Sequence, residues 1–110
     1  MTFVSAGKNL DMIMNFRSSD VFLGLPYDII VGALMLKYIA NATGHVSKNI
    51  FFNLANAHIY ENHLNEVNEM LLLNTYPDPT LKVNKFSFNA EDYIIENYQS
   101  NKFIKAELNV

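Results

Sequence analysis

The sequence contains no cysteine. That absence removes disulfide staples, thiolate metal sites and cysteine nucleophiles from this chain together. Arginine is nearly as scarce: Arg17 is the one arginine among eight basic residues. The lysines gather nowhere into a block and the net charge is −3, so the clustered cations that grip a nucleic-acid backbone are missing. No nucleic-acid partner is expected. A small phosphorylated ligand stays open, because one or two well-placed cations suffice to hold it. Long apolar runs are missing too. Asp28 and Lys37 bracket eight residues, 29–36, where a membrane span needs about 20, and no membrane association is expected. The opening residues lack the charged-then-apolar form of a secretory signal, so a cytoplasmic setting is the expectation. There is no internal repeat and no low-complexity tract.

Half of the 110 residues are hydrophobic, which predicts a packed core in a single domain, 1–110. Residues 2–5 read as a short extended piece, and Ala6-Gly7-Lys8-Asn9 as a hairpin turn. Strict alternation follows. Leu10, Met12, Met14 and Phe16 share one face, and Asp11, Ile13, Asn15 and Arg17 the other, a strand with one buried side. Residues 26 to about 42 form a helix that is apolar all round over 29–36, so burial on most sides is expected. Thr43-Gly44 supplies its stop. A second strand is read over 49–60, with His58 and Tyr60 side by side on one face. Residues 61–73 read as a helix with Leu64, Val67 and Leu71 inward and Asn65, Glu66, Asn68 and Glu69 in solvent. Pro77 and Pro79 end that element, a short strand covers 81–83, and the remainder is mixed.

The chemically dense stretch is Arg17-Ser18-Ser19-Asp20, followed by Gly24 and Pro26. A five-donor guanidinium beside a hydroxyl suits an oxyanion. Pro26 suits a helix's first turn, and Gly24 is free to adopt backbone geometry closed to other residues. The competing readings are a polar loop at a strand end and, for Arg17, an ion pair with Asp20 or Asp11.

Residues 17–29, R-S-S-D-V-F-L-G-L-P-Y-D-I, resemble the R-S-x-D-x-x-L-G-L-P-F-N-I segment of the thymidylate synthase family, which includes the deoxycytidylate hydroxymethylases. Further motifs follow in the family's order. Residues 56–63, N-A-H-I-Y-E-N-H, resemble D-x-H-x-Y-x-N-H. Pro77-Asp78-Pro79 with Leu81 resembles P-x-P-x-L. Glu91-Asp92-Tyr93 with Glu96 and Tyr98 resembles E-D-F-x-I-E-G-Y, and Ile104-Lys105-Ala106 resembles the terminal I-K-A.

The resemblance implies an α+β fold, part of the thymidylate synthase fold, with a curved mixed sheet backed by a long buried helix. It covers the family's C-terminal part. The nucleophilic cysteine that attacks C6 of the pyrimidine, and two further phosphate-binding arginines, lie upstream in the family, so covalent chemistry by this chain unaided is not expected. The implied function is that part of a pyrimidine-nucleotide C5 one-carbon transferase, with 5,10-methylenetetrahydrofolate as co-substrate. The alternative is a non-catalytic nucleotide-binding or dimer-forming remnant. The implied partners are dCMP or dUMP, and either a second copy in a homodimer or the missing N-terminal half.

By the same resemblance, Arg17 and Ser18 hold the nucleotide 5′-phosphate, and Asp20 lies near the base and the folate pterin. Asp20 also reads as a turn cap. His58 and Tyr60 hydrogen-bond the deoxyribose 3′-hydroxyl, while Leu23, Gly24, Tyr27 and Leu108 flank the folate or the base. No metal site is implied: His58 and His63 do not have the spacing of a zinc helix. Three departures from the family pattern stand out. Asp28 replaces an Asn that reads uracil, and a carboxylate accepts from the 4-amino group of cytosine where it cannot donate to O4. That tilts the substrate toward dCMP, although a first-turn Asp is also ordinary helix-dipole chemistry. Leu54-Ala55 and Asn56 replace Gly-Gly-Asp. Asn97 replaces a Gly, at a position where Asn tolerates left-handed backbone.

Overall fold

Gly7 sets the first element. It has φ +59 and is the first of the two central residues of the turn that joins β1 (Thr2–Ala6) to β2 (Asn9–Phe16). Positive φ at that position matches the twist of the flanking strands. The pair is antiparallel, with Ala6 opposite Asn9 and Thr2 opposite Ile13. A chain crossover through α1 (Leu25–Ala42) then places β4 (Val46–Leu54) parallel to β2 on its other side. A parallel neighbour requires such a crossover, because a tight turn can only reverse the chain. The register slips between Leu10 and Met12, where the ladder is irregular. The result is a three-stranded mixed sheet in the order β1-β2-β4, a mixed α/β arrangement.

The computed structural model describes residues 1–109. They fall into two compact units, Met1–Glu61 with the residues from Leu108, and Asn62–Glu107.

In the first unit, the alternation of β2 turns Leu10 and Met12 into the core, joined by Leu36 and Ala40 of α1, with Met14, Met35, Ile39 and Ile50 packed around them. The Phe16 and Phe52 rings stack on neighbouring strands with centroids 5.8 Å apart. Gly32 lets the helix approach closely: a Cβ there would lie 2.9 Å from Met14 Sδ and 3.1 Å from Phe52 Cζ. The long helix is therefore present and ends as expected. Thr43 caps it, its hydroxyl donating to the Ile39 carbonyl at 2.7 Å, and Gly44 follows at φ +71.

Burial on most sides is not what the structure has. Only Gly32, Leu36 and Ala40 of α1 are buried, whereas Ile29, Ile30 and Val31 are 45, 50 and 56% exposed. One sheet lies against the helix in this unit, and it covers one stripe. No helix among the described residues is long and apolar enough to cross a membrane.

The single strand expected over 49–60 is two strands. β4 begins earlier, at Val46, and ends at Leu54, and β5 (Ala57–His58) belongs to a separate two-stranded sheet with β3 (Ser19–Asp20). The chain changes partner at the break: Ala55 N–H still donates to Phe16 O at 3.0 Å, while Asn56 O already accepts from Ser19 N–H at 2.9 Å.

In the second unit, the expected helix over 61–73 is shorter. It comprises a 3₁₀ turn at Glu61–His63 and then α2 (Leu64–Leu71). Its faces also differ from expectation. Val67 is half-buried and Asn65 and Asn68 are exposed, as expected, but Leu64 and Leu71 are exposed and Glu66 is half-buried. Glu69, expected in solvent, pairs with Lys102 at 2.5 Å. β6 (Thr80–Val83) pairs antiparallel with β7 (Tyr93–Glu96), a strand that the mixed sequence there did not reveal. The loop between them is cross-linked: Tyr93 OH donates to Ser87 O at 2.6 Å, and Ser87 Oγ donates to Asp92 Oδ2 at 2.5 Å. Asn97 sits at φ +59, the left-handed conformation for which an Asn in place of Gly is suited.

Candidate functional site

The first unit builds its site at the carboxyl ends of the parallel pair, where open α/β sheets bind ligands. Arg17 follows the last residue of β2, and Ala55 the last of β4. Together with Asn15, Asn53 and Leu54 they line an open pocket of about 490 Å³. Asn53 Nδ2 donates to Asn15 Oδ1 at 2.8 Å, fixing two amides beside the guanidinium. Asn53 was not among the residues singled out from sequence. It faces Asn15 only because the parallel register sets 15 opposite 53, and strand alternation alone does not give that register.

Arg17 is exposed and makes no ion pair among the described residues. The two carboxylates that compete for it are used elsewhere. Asp11 Oδ1 accepts from the Asn49 backbone and side chain at 2.9 and 3.1 Å. Asp20 Oδ1 accepts from the backbone N–H of Phe22 at 3.1 Å and Leu23 at 3.3 Å. Asp20 thus caps the turn that leads into α1, as its residue type allows, and its other carboxylate oxygen makes no hydrogen bond among the described residues. The same turn is closed by Gly24 N–H donating to Asp20 O at 3.0 Å.

Gly24 does not use the conformational freedom expected of it. Its φ of −84 and ψ of −50 are ordinary helical values. The constraint is room, since a Cβ would sit 3.1 Å from the Asp20 carbonyl oxygen. Leu23 is half-buried in this turn, and Tyr27, one residue past Pro26, is 73% exposed. Asp28 stands half-buried in the first turn of α1, its backbone N–H donating to Gly24 O at 3.2 Å.

The β3–β5 pair joins this turn to the second motif. Ser19 lies opposite Ala57 and Asp20 opposite His58, and Val21 N–H donates to His58 O at 3.0 Å. His58 Nδ1 is 3.2 Å from the Asn56 carbonyl oxygen. A carbonyl only accepts, so Nδ1 carries the hydrogen and Nε2 of the neutral ring is left as an acceptor. The contact is to the backbone and so does not depend on the side chain at 56. The His58 and Tyr60 rings meet edge to face with centroids 5.0 Å apart, although Tyr60 lies beyond the end of β5. Asp20 and His58 are therefore tied through one two-stranded pair, with Tyr60 against His58, and Arg17 and Ser18 directly precede β3. Leu108 is 77% exposed and belongs to the same unit.

Ser19 is a residue of this region that sequence reasoning passed over. It is 4% exposed, and its hydroxyl finds no partner among the described residues. An unsatisfied buried hydroxyl is unfavourable by about 1–3 kcal/mol. Ser19→Ala is accordingly expected to raise the unfolding free energy by about 1 kcal/mol, read as a higher urea midpoint at unchanged m-value. A lower midpoint would show that the hydroxyl is satisfied in solution.

The chain belongs to the thymidylate synthase family, whose model matches residues 1–110. Among individual proteins, the thymidylate synthase of Malacoplasma penetrans is 35% identical over 113 residues, an alignment that covers 98% of this chain and 39% of that relative. The chain thus spans about two-fifths of the length of the relative it matches.

Proposed function

We propose that this chain carries a nucleotide half-site of a pyrimidine-nucleotide C5 one-carbon transferase, with dCMP preferred over dUMP and a hydroxymethylated product. On this reading, residues 1–110 correspond to the C-terminal part of such an enzyme. The observation that carries it is the exposed Arg17 guanidinium, which makes no ion pair among the described residues, while Asp11 and Asp20 each accept from other donors.

In the half-site, Arg17 and the Ser18 hydroxyl hold the 5′-phosphate through charge-assisted hydrogen bonds, the strong class of such contacts. His58 Nε2 accepts the hydrogen of the 3′-hydroxyl, and Tyr60 OH completes the contact to that oxygen. Asp28 accepts from the cytosine 4-amino group, an interaction that uracil does not offer. The remaining oxygen of Asp20 takes N–H groups of the base or of a pterin.

The residues for 5,10-methylenetetrahydrofolate fit a flat, partly apolar ring system: Tyr27 and Leu108 are exposed, and Leu23 and Gly24 border the same turn. When bound, the folate supplies the one-carbon unit. The chain's own part is to fix the nucleotide's phosphate, sugar and base edge. The covalent step needs a cysteine, which residues 1–110 do not contain. The open face of the three-stranded sheet, with Val4 and Phe51 exposed, is offered to a second copy of the chain in a homodimer.

Titration of dCMP into the wild-type chain and into Arg17→Ala, followed by calorimetry, tests the phosphate assignment. Removing a charged hydrogen-bond partner costs about 1.5–3 kcal/mol, so affinity is expected to fall about 10- to 150-fold. Equal affinities would remove Arg17 from the site. Absence of binding in both would sink the autonomous nucleotide-binding module, leaving a site that depends on further polypeptide.

A further inference from the structure

Asn15 and Asn53 are the polar residues of the pocket to which the half-site gives no role. They line it together with Arg17, at the carboxyl ends of β2 and β4. Parallel pairing sets them opposite one another, and Asn53 Nδ2 donates to Asn15 Oδ1 at 2.8 Å. That bond engages the carbonyl end of the Asn15 amide. Both hydrogens of Asn15 Nδ2 are left without a hydrogen bond among the described residues. Both residues are exposed, so the pair does not serve to satisfy a buried group. A side chain already held by a neighbour loses less freedom when a ligand arrives. The pair is thus a fixed, neutral donor two residues before the guanidinium.

We propose that Asn15 is a further contact of the 5′-phosphate site, donating from Nδ2 to a phosphate oxygen beside Arg17, and that Asn53 positions it. A phosphate monoester presents three strong acceptor oxygens. The planar fork of Arg17 engages two of them, and the Ser18 hydroxyl brings one hydrogen, so acceptor capacity remains. The pocket is lined by one arginine and no lysine, which makes the Asn15 amide the donor at hand. The inference rests on the reading that Arg17 holds the phosphate, and it adds the residues that complete that contact.

The direction of the pair makes the test specific. In Asn15→Asp, Asn53 Nδ2 still donates to the carboxylate, so the link between the strands is kept, while a charged oxygen replaces the two hydrogens offered to the phosphate. In Asn53→Asp, the Asn15 amide turns to donate to the new carboxylate and presents Oδ1 to the ligand instead. Affinity for dCMP is measured by calorimetry and for inorganic phosphate by ³¹P NMR titration. Both affinities are expected to fall at least about 10-fold in each variant, with urea midpoints unchanged. Unchanged dCMP affinity in Asn15→Asp, with the loss still seen in Arg17→Ala, would overturn this inference and leave Arg17 in place. A fall for dCMP without one for inorganic phosphate would move the contact off the phosphate and overturn it as well. A loss in Asn15→Asp alone would overturn the role of Asn53. No change in any of the three variants, or no binding by the wild-type chain, would overturn the inference together with the phosphate reading.

Discussion

On the proposed reading, Asp28→Asn is expected to shift the nucleotide preference toward dUMP. There the wild-type carboxylate accepts from the cytosine 4-amino group and has no hydrogen to give to a uracil O4. The amide both accepts and donates, and so matches the N3–H and O4 edge of uracil. Each mismatched pairing leaves a polar group without its partner, which costs about 1–3 kcal/mol when buried. Asp28 is half-buried, so the lower part of that range applies: dUMP affinity rises about 10-fold, while the turned amide still accepts from the 4-amino group and donates to N3 of cytosine. The dCMP to dUMP affinity ratio therefore swings about 10-fold. Competition titrations of the two nucleotides against the two variants give the ratio directly. An unchanged ratio would mean that Asp28 serves only the helix dipole at the first turn of α1.

Met12→Ala is expected to have the largest effect on stability. Met12 is wholly buried, at the centre of the cluster with Leu10, Leu36 and Ala40, and its methyl end approaches Gly32. Truncation removes its contacts and leaves a cavity that the sheet and helix close only in part, about 2–5 kcal/mol for this kind of substitution. Against a total of about 5–15 kcal/mol for a native protein, that is a large share, and a fall in melting temperature of at least about 10 °C follows for a domain of this size. Leu71→Ala is the control. That side chain is 71% exposed, and an effect within about 0.5 kcal/mol is expected. Similar losses for the two would move the core away from the β2–α1 contact.

The features legible in the sequence are those fixed by neighbouring residues. The Gly7 hairpin, the Thr43-Gly44 stop, the left-handed Asn97 and the burial of alternate residues in β2 each depend on a few positions in a row. The family likeness was legible for the same reason, being carried by short ordered motifs. Features set by distant pairing were not. The break between β4 and β5 occurs because Asn56 bonds to Ser19, 37 residues earlier, and nothing around residue 56 announces that partner. β7 needed β6 to identify it. In the site, Arg17, Ser18 and Asp20 were visible as one turn. The Asn15–Asn53 pair and the orphaned Ser19 hydroxyl emerge only from register and burial.

The central claim is that the β3–β5 pair assembles a nucleotide half-site from two distant motifs. It is tested most directly by ¹⁵N–¹H NMR of the labelled chain during addition of dCMP. The expected result is saturable shifts of the Ser18, Asp20, Val21, His58 and Tyr60 amides at one common affinity, with Asp28 responding to dCMP and not to dUMP. Shifts confined to residues 62–107, or movement of the Arg17 turn without His58 and Tyr60, would contradict it.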